Sequence, residues 1–377
     1  MNFAFSQEQE MLREAARRFL ADNCPATRVR RAMADPTGHD PELWQKLVEL
    51  GWPGLLIPER YGGQGGNFLD MTVVVEEAGK ALLPGPFFTA ALTGAPALLD
   101  GAPEPLKQEL LPRSARGDYI CTVAVAEAGG RLDAEGVELR PARQGRDWVL
   151  SGEKFFVPDA HLANGIVVAA RTARKAEQGI TLFLVDVPSP GLTITQLKTV
   201  DMTRRCCHLS FDNVVVPSSR ILGKRHEGWP ILRRMLEVAT SALATELVGV
   251  AQRALDLSVE YARTRVQFGR PIGSFQAVKH KCVDMLVQVE NARSLAYYAA
   301  WTVDERAPDS AAAVAMAKAY ASEMAVNVTS DAIQVHGGIG FTWEHDMHLY
   351  HRRALAGEAS LGDARSHRET VARSILD

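Results

Sequence analysis

Two stretches in the last third of the chain carry residues suited to binding an anionic ligand. The first, YARTRVQFGRPIGSFQ (261–276), places Arg263 and Arg265 beside an aromatic residue, a glycine and a glutamine. An arginine presents a rigid fork of donors that matches phosphate oxygens. The second, QVHGGIGF (334–341), puts adjacent glycines where a helix should end, so backbone N–H groups can approach a ligand closely. Together they predict a site for an anionic, aromatic ligand such as a dinucleotide.

The composition narrows the class of protein. The 377 residues are 46% hydrophobic and 23% charged, which is enough for two or three domains with a core. A net charge of −3 gives no reason to expect nucleic-acid binding. No apolar run approaches the roughly 18 residues that span a bilayer, so no membrane span is expected.

The five cysteines lack CxxC spacing and do not predict a metal site. They are typical of reduced thiols in a cytoplasmic protein, and a redox pair at the adjacent Cys206 and Cys207 is the alternative. Acidic residues and glutamines near the N-terminus argue against a signal or transit peptide.

Hydrophobic periodicity divides the chain into three parts. Residues 1–118 show helical patterns, beginning with a capping box at Ser6 and Gln9. Residues 119–225 hold short β-branched runs separated by Gly, Pro, Asp and Asn, which predict a compact β domain such as a small barrel. Residues 226–377 are helical again, in long runs with short connections. The predicted fold class is therefore mostly α, with a central β domain and a C-terminal up-down four-helix bundle.

The four bundle helices are predicted over 229–266, 275–302, 311–335 and 345–376. No helical crossovers separate the predicted strands, and the chain has no G-x-G-x-x-G stretch. A parallel Rossmann sheet is therefore not expected.

This order of domains, with the two C-terminal stretches, resembles the acyl-CoA dehydrogenase family of flavoproteins. The strongest matches are YARTRVQFGRPIGSFQ and QVHGGIGFTWEHDMHLYHRR, with weaker ones at LLIPERYGG, LSGEKFFV and FDNVVVPSSRILG. The resemblance implies an FAD shared across a subunit interface. One protomer would hold the flavin ring with its β domain, while the neighbour's bundle would hold the pyrophosphate and adenosine. Electron-transfer flavoprotein is the acceptor that the resemblance implies.

The resemblance also implies which residues contact FAD. Arg265 would pair with the pyrophosphate, whereas Arg263 is expected only to complement the negative end of its helix. His336 is expected to be a buried histidine, with a ligand contact as the alternative. The full implied set is Arg265, Gln267, Phe268, Gln276, Gln334, Gly337 and Gly338 from the bundle and Phe156 from the β domain.

The family reaction removes two hydrogens from the α and β carbons of an acyl-CoA thioester, and a carboxylate takes the α-proton. In most members this base is the Glu of a Glu-Gly-Thr stretch; counting on from the Arg-Arg-Ala turn at 352–354, that position is Leu361. Other members place the base on the first bundle helix, where this chain has Ala239.

Glu246, seven residues beyond Ala239 on nearly the same helix face, is the candidate catalytic base. The alternative for Glu246 is a buried carboxylate paired with a neighbouring arginine, or one at a subunit contact. Glu358 is a weaker candidate.

The β domain departs from the family pattern as well. Members show Thr-Glu-Pro-Gly-x-Gly-Ser-Asp at the flavin, whereas this chain has AEAGGRLD (126–133) and lacks both hydroxyls. A Trp and a Thr that usually touch the flavin align with Phe156 and Pro158. Proline offers neither a hydroxyl nor an N–H.

The residues that the chain lacks are the β-domain contacts to the flavin ring and the usual base. The FAD-binding motifs of the bundle are intact. The sequence therefore predicts one subunit of a heteromeric, α2β2-like acyl-CoA dehydrogenase. The resemblance to paired bacterial dehydrogenases implies a bulky acyl-CoA, such as that of a sterol side chain, as substrate. Two alternatives stay open: a homo-oligomeric dehydrogenase, such as a dimer, that uses Glu246, and an inactive structural or acyl-CoA-binding protein.

Overall fold

The computed structural model describes residues 5–376. Residues 1–4 and 377 of the predicted domain ranges lie outside the described residues. The first part is helical, and the predicted capping box is present, because Ser6 and Gln9 exchange side-chain and backbone hydrogen bonds. Its helices are α1 (Gln7–Asn23), α2 (Ala26–Ala34), α3 (Pro41–Glu49), α4 (Phe68–Lys80), α5 (Phe87–Thr89), α6 (Ala95–Gly101) and α7 (Glu104–Ala115). A π-helical turn, Ala90–Gly94, connects α5 to α6.

The middle part forms two four-stranded sheets that share one core. Its strands are β1 (Cys121–Ala124), β2 (Ala142–Gln144), β3 (Asp147–Pro158), β4 (Gly165–Arg171), β5 (Ile180–Asp186), β6 (Leu192–Gln196), β7 (Cys206–Val216) and β8 (Ile221–Leu222). The strand orders are β1-β4-β5-β8 and β2-β3-β7-β6. Trp148, Phe183 and Leu209 lie in the core between the sheets. The predicted compact β domain is confirmed, as a pair of packed sheets.

The last part is a helical bundle. Its elements are α8 (Trp229–Thr264), the hairpin strands β9 (Val266–Gln267) and β10 (Arg270–Pro271), and the helices α9 (Gln276–Asp304), α10 (Ser310–His336), α11 (Met347–Ala359) and α12 (Ala364–Leu376). The predicted fold class is confirmed. No helix in the described part of the chain is both long and apolar enough to cross a bilayer.

One bundle helix differs from its prediction. The single helix predicted over 345–376 is divided into α11 and α12 by a turn, because Leu361 and Gly362 have φ of 56° and 95° and cannot continue a helix. The ammonium group of Lys318 donates to the carbonyl oxygens of Glu358 and Gly362, at 3.2 and 2.8 Å. The Asp363 carboxylate then accepts the N–H of a residue in the first turn of α12 at 2.8 Å.

The three parts meet along α8. A Cβ on Gly249 would collide with the carbonyl oxygen of Glu76, so α8 and α4 touch through their backbones. One buried cluster joins the N-terminal helices to the bundle, and a second joins α6 and α7 to the β domain and α8. Phe88 and Leu361 pack against both clusters. These two side chains therefore mark the junction of all three parts.

Candidate cofactor and active site

Arg265 lies just beyond the end of α8. Its ψ of 119° leaves the helix, while its N–H donates to the carbonyl oxygen of Tyr261 at 2.8 Å. The chain then forms the β9–β10 hairpin, whose tip residues Phe268 and Gly269 have φ of 53° and 76°, as a two-residue type I′ turn requires. The side chains of Arg265 and Gln267 are exposed, and Phe268 is 92% exposed. This hairpin therefore presents its predicted FAD contacts outward.

The glycine pair lies at the end of α10. Gly337 has φ 63° and ψ −142°, a conformation that L side chains rarely adopt. A Cβ on Gly337 or on Gly338 would meet no atom within 4 Å, so the backbone here is open to a ligand. The side chain of Gln334, on the last turn of α10, is exposed, as is that of Gln276 at the start of α9.

Stacked rings bring these two regions together. The Tyr261 and His336 rings have centroids 4.7 Å apart and planes 25° apart, and the His345 ring lies 4.7 Å from His336. His336 is buried, with Nδ1 2.8 Å from the carbonyl oxygen of Ala332, which agrees with the buried histidine expected from the sequence. We call the exposed set beside this stack the clamp: Arg265, Gln267, Phe268, Gln276, Gln334, Gly337 and Gly338.

Phe156 occupies a bulge in β3. The pairing of β3 with β7 shifts register between Lys154 and Val157, and Phe156 takes φ 54° with 62% of its surface exposed. The N–H of Phe155 donates to the carbonyl oxygen of Ala126 at 2.9 Å. The stretch 126–133, where members show their flavin hydroxyls, therefore lies beside this bulge.

Pro158 and Lys154, beside Phe156 on β3, show how the β-domain side of the site differs from the clamp. Pro158 pairs with Cys206 of β7 and supplies no donor of its own. Lys154 is fully buried and donates to the carbonyl oxygen of Val125 and a carboxylate oxygen of Glu127, at 2.8 and 2.7 Å. Burial lowers the pKa of Lys154 to about 8. Lys154 therefore fixes the backbone here, but it is occupied by these contacts.

Glu246 belongs to a buried ionic network. Arg204 donates from both Nη atoms to its two carboxylate oxygens, at 2.8 and 2.5 Å. Arg353 donates from Nη1 to Glu246 at 2.7 Å and from Nε to Asp201 at 2.6 Å. Arg353 also donates to the hydroxyl of Thr203. Burial alone would lower the pKa of Arg353, but the carboxylates of Asp201 and Glu246 more than offset this and raise it.

These contacts bear on the predicted role of Glu246. To take a proton from a substrate carbon, its carboxylate would have to give up hydrogen bonds from two guanidinium groups. Its surroundings are those of the alternative that the sequence left open, a buried carboxylate paired with arginine. Catalysis by Glu246 stays a prediction, and the contacts favour a structural role.

The two family base positions lie close to the same cluster. Ala239 is fully buried in the cluster that joins α8 to the β domain, and Leu361 packs against that cluster. The ammonium group of Lys318 holds the turn at Leu361 through its bonds to main-chain oxygens. Burial lowers the pKa of Lys318 to about 8. The backbone of Glu358 contributes a carbonyl oxygen to Lys318. Neither Ala239 nor Leu361 can accept a proton.

The sequence did not identify Arg204, Arg353 or Asp201 as site residues. The guanidinium of Arg204 lies 4.7 Å from the ring centroid of Phe88, one of the two junction residues. Burial lowers the pKa of Arg204. Adjacent arginines occur at five places in the sequence, among them 204–205 and 352–353, and the pattern does not tell which arginines reach the carboxylate of Glu246.

Comparison with known proteins decides the family. Residues 6–118, 122–214 and 226–376 match the N-terminal, middle and C-terminal domains of acyl-CoA dehydrogenase. The chain belongs to the acyl-CoA dehydrogenase family. It is similar to acyl-CoA dehydrogenase IpdE2 of Mycolicibacterium smegmatis, with 36% identity over 96% of each chain.

Two solved structures of complexes share the fold. The ChsE4–ChsE5 complex of Mycobacterium tuberculosis has a TM-score of 0.90 and 28% identity, covering 100% of this chain and 99% of that one. The Tcur3481–Tcur3483 steroid acyl-CoA dehydrogenase has a TM-score of 0.88 and 30% identity, covering 98% of each chain.

Members of this acyl-CoA dehydrogenase family are oxidoreductases that act on CH–CH bonds and bind FAD, so FAD is the cofactor. The clamp fits this group, because it offers an exposed guanidinium, an open glycine backbone and an exposed aromatic ring. The β side fits the flavin ring less well, since Pro158 has no donor. The residues of this dehydrogenase thus suit one end of FAD better than the other.

We expect Arg353→Met to destabilise the fold strongly. Removing Arg353 leaves the buried carboxylate of Asp201 without its guanidinium partner and Glu246 with Arg204 alone. Loss of one partner of a buried ion pair costs about 3–5 kcal/mol of unfolding free energy. Urea unfolding followed by circular dichroism measures this loss. The control is Arg368→Met, whose ion pair with Glu323 is exposed and should change little. Equal effects of the two substitutions would contradict a dominant buried network.

Glu246→Gln separates the two roles of this residue. We expect a lower unfolding midpoint, because the amide forms weaker bonds to Arg204 and Arg353 than the carboxylate does. Turnover per folded, flavin-loaded enzyme should change by less than about tenfold, since loss of a general base typically costs about 10²–10⁴. The ratio of activity to folded flavoenzyme is the measurement. A loss of 10³ or more with normal stability would identify Glu246 as the base.

Proposed function

We propose that this chain is one subunit of a heteromeric acyl-CoA dehydrogenase. Its clamp holds the pyrophosphate and adenosine of an FAD whose ring is bound by a catalytically complete partner subunit. The observation that carries the proposal is Leu361, which stands where the family has its base. The family's other base position, Ala239, is also without a carboxylate.

The direction of the clamp supports this division. Its side chains face outward from the bundle, away from the chain's own core. Large apolar side chains surround it, with Phe268 92% and Phe341 81% exposed. Val266, Ile339 and Trp343 add further exposed apolar surface. Such clustered exposure is typical of a surface that another subunit covers.

The chemistry assigns the remaining roles to the partner. When bound, FAD accepts a hydride from the β carbon of the acyl group, and the α-proton must go to a weakly solvated carboxylate. In this chain the candidate carboxylate, Glu246, is engaged by Arg204 and Arg353. The partner subunit therefore supplies the base and the flavin-ring contacts. Electron-transfer flavoprotein is the proposed acceptor.

We propose a bulky acyl-CoA, such as a steroid thioester, as the substrate class. The support is similarity to a protein whose structure is described as a steroid acyl-CoA dehydrogenase built from two differently named chains. The ChsE4–ChsE5 complex likewise pairs two differently named chains. An α2β2-like assembly is the simplest form of this arrangement.

Flavin content tests the subunit assignment. We expect the chain purified alone to hold well under one FAD per chain, because it lacks donors for the ring at Pro158. Co-expression with a catalytically complete acyl-CoA dehydrogenase subunit, such as one from any neighbouring gene, should give a yellow complex, measured by flavin absorbance and by mass in solution. One tightly held FAD per chain in the lone protein would refute the heteromer. A complex without flavin would favour the inactive alternative.

Arg265→Ala tests the clamp. A charge-assisted hydrogen bond contributes about 1.5–3 kcal/mol, so FAD affinity should fall by about 10- to 100-fold. Flavin fluorescence on release into solution measures this in the complex. The matched control is Arg263→Ala, an equally exposed arginine two residues away, which should leave affinity nearly unchanged. Indistinguishable affinities for the two variants would contradict the assignment of Arg265.

A further inference from the structure

The ring stack beside the clamp connects two segments that are distant in sequence. Tyr261 lies one helical turn before Arg265, whose N–H bonds to its carbonyl oxygen at 2.8 Å. His336 directly precedes Gly337. Because the Tyr261 and His336 rings are stacked at 4.7 Å, the stack sets the separation between Arg265 and the glycine backbone. The relative position of the two halves of the clamp therefore depends on this contact.

The ring of His345 links the stack to α11 through its Nδ1 atom, which carries no hydrogen when the ring is neutral. His345 Nδ1 accepts the N–H of Met347 at 3.1 Å, where α11 begins. An added proton at Nδ1 would turn this acceptor into a donor and break the bond. His336 Nδ1 lies 2.8 Å from the carbonyl oxygen of Ala332, so the proton of its neutral ring is on Nδ1.

The groups around His345 mostly oppose a positive charge. Arg30, from α2, donates to the carbonyl oxygen of His345 at 3.0 Å and to the carboxylate of Asp346 at 2.9 Å. His336 faces it from α10, and His348 lies on α11. Burial is the main cause that lowers the pKa of His345. The positive charges of His336, His348 and Arg30 lower it further, whereas the carboxylate of Asp346 raises it.

The outer side of the same loop also carries imidazole and guanidinium groups. His348 stacks on Trp343, with centroids 4.7 Å apart, and the guanidinium of Arg352 lies 5.9 Å from that ring. Burial lowers the pKa of His348 too. Asp346 and Glu344 are the carboxylates of this loop. Acid therefore adds positive charge at His345 and His348, in the stretch that follows the glycines.

We propose that Tyr261, His336 and His345 are positioning residues for FAD, and that protonation of His345 opens the clamp and weakens cofactor binding. The proposal rests on the proposed role of the clamp in holding FAD. It adds a residue function and a pH dependence to that role. When the rings are neutral, the stack keeps Arg265 and Gly337 in their relative positions. When the His345 ring is protonated, they separate.

The sign of the effect follows from the direction of the shift. In the closed state the stack is intact and the clamp can hold FAD. A histidine whose pKa is lowered in this state stabilises it when neutral. FAD binding is therefore strongest above the ordinary imidazole pKa of about 6.5. Affinity falls as the pH drops below about 6.5, by up to about tenfold per pH unit for one proton.

The experiment compares FAD affinity at several pH values between 5.5 and 8 in the flavin-holding complex, by fluorescence of released FAD. The wild type should lose affinity by several-fold between pH 7.5 and 5.5, with about tenfold as the ceiling for one proton. His345→Asn should flatten this profile, because its amide oxygen can still accept the N–H of Met347 and does not titrate. The control His226→Asn, in the loop before α8, should keep the wild-type profile.

His336→Phe provides a second, independent variant. It retains a ring to stack on Tyr261, but it removes one of the groups that lower the pKa of His345. We therefore expect a smaller loss of FAD affinity between pH 7.5 and 5.5 than in the wild type, because a closed-state pKa of His345 nearer its ordinary value leaves less pH dependence. Tyr261→Leu, which removes the stack itself, should weaken FAD binding several-fold at pH 7.5 with an unchanged circular dichroism spectrum.

The outcomes separate the inference from the proposed function. If Arg265→Ala weakens FAD binding but His345→Asn and His336→Phe retain the wild-type pH profile, the inference is wrong and the clamp assignment stands. If Arg265→Ala has no effect, the proposed function fails and the inference fails with it. A flat profile for His345→Asn and a shallower one for His336→Phe would support it.

Discussion

The structure depends on one buried guanidinium group. Arg353 reaches from α11 to Asp201 in the β domain, to Glu246 on α8 and, at 3.5 Å, to the carbonyl oxygen of Leu83 in the N-terminal part. A charge removed from water is tolerated only where partners surround it, and the cost of misplacing one partner is several kcal/mol. The three parts of the chain must therefore meet in one arrangement.

The features relevant to FAD are tied to that arrangement through two helices. α8 carries Glu246 near its middle and Arg265 just past its end, so the ionic network and the clamp share one long rigid element. α11 carries Arg353 and ends before the turn of Leu361. The turn at Leu361 and the clamp are thus tied to the same ion pairs through α11 and α8.

Periodicity and capping were enough to predict most elements, because these signals are local. The capping box at Ser6 and the change from helical to alternating patterns near residue 119 are examples. The break at Leu361 was missed, since a leucine in the left-handed region is held there by Lys318, which is about forty residues away. Likewise, residues 352 and 353 are both arginine, and only the fold determines that Arg353 is the buried one. The exposure of Arg265 and the openness at Gly337 could be anticipated from resemblance, but the ring stack that joins them could not.

The turn at Leu361 has a consequence for how such an enzyme can diverge. Lys318 binds main-chain oxygens there, so these bonds can form whichever side chain residue 361 carries. After a gene duplication, one copy can exchange its reactive group for an inert one without disturbing the scaffold that aimed it. The surface that serves a neighbouring subunit is then preserved, and a single ancestral catalyst can become a pair of specialised, mutually dependent chains.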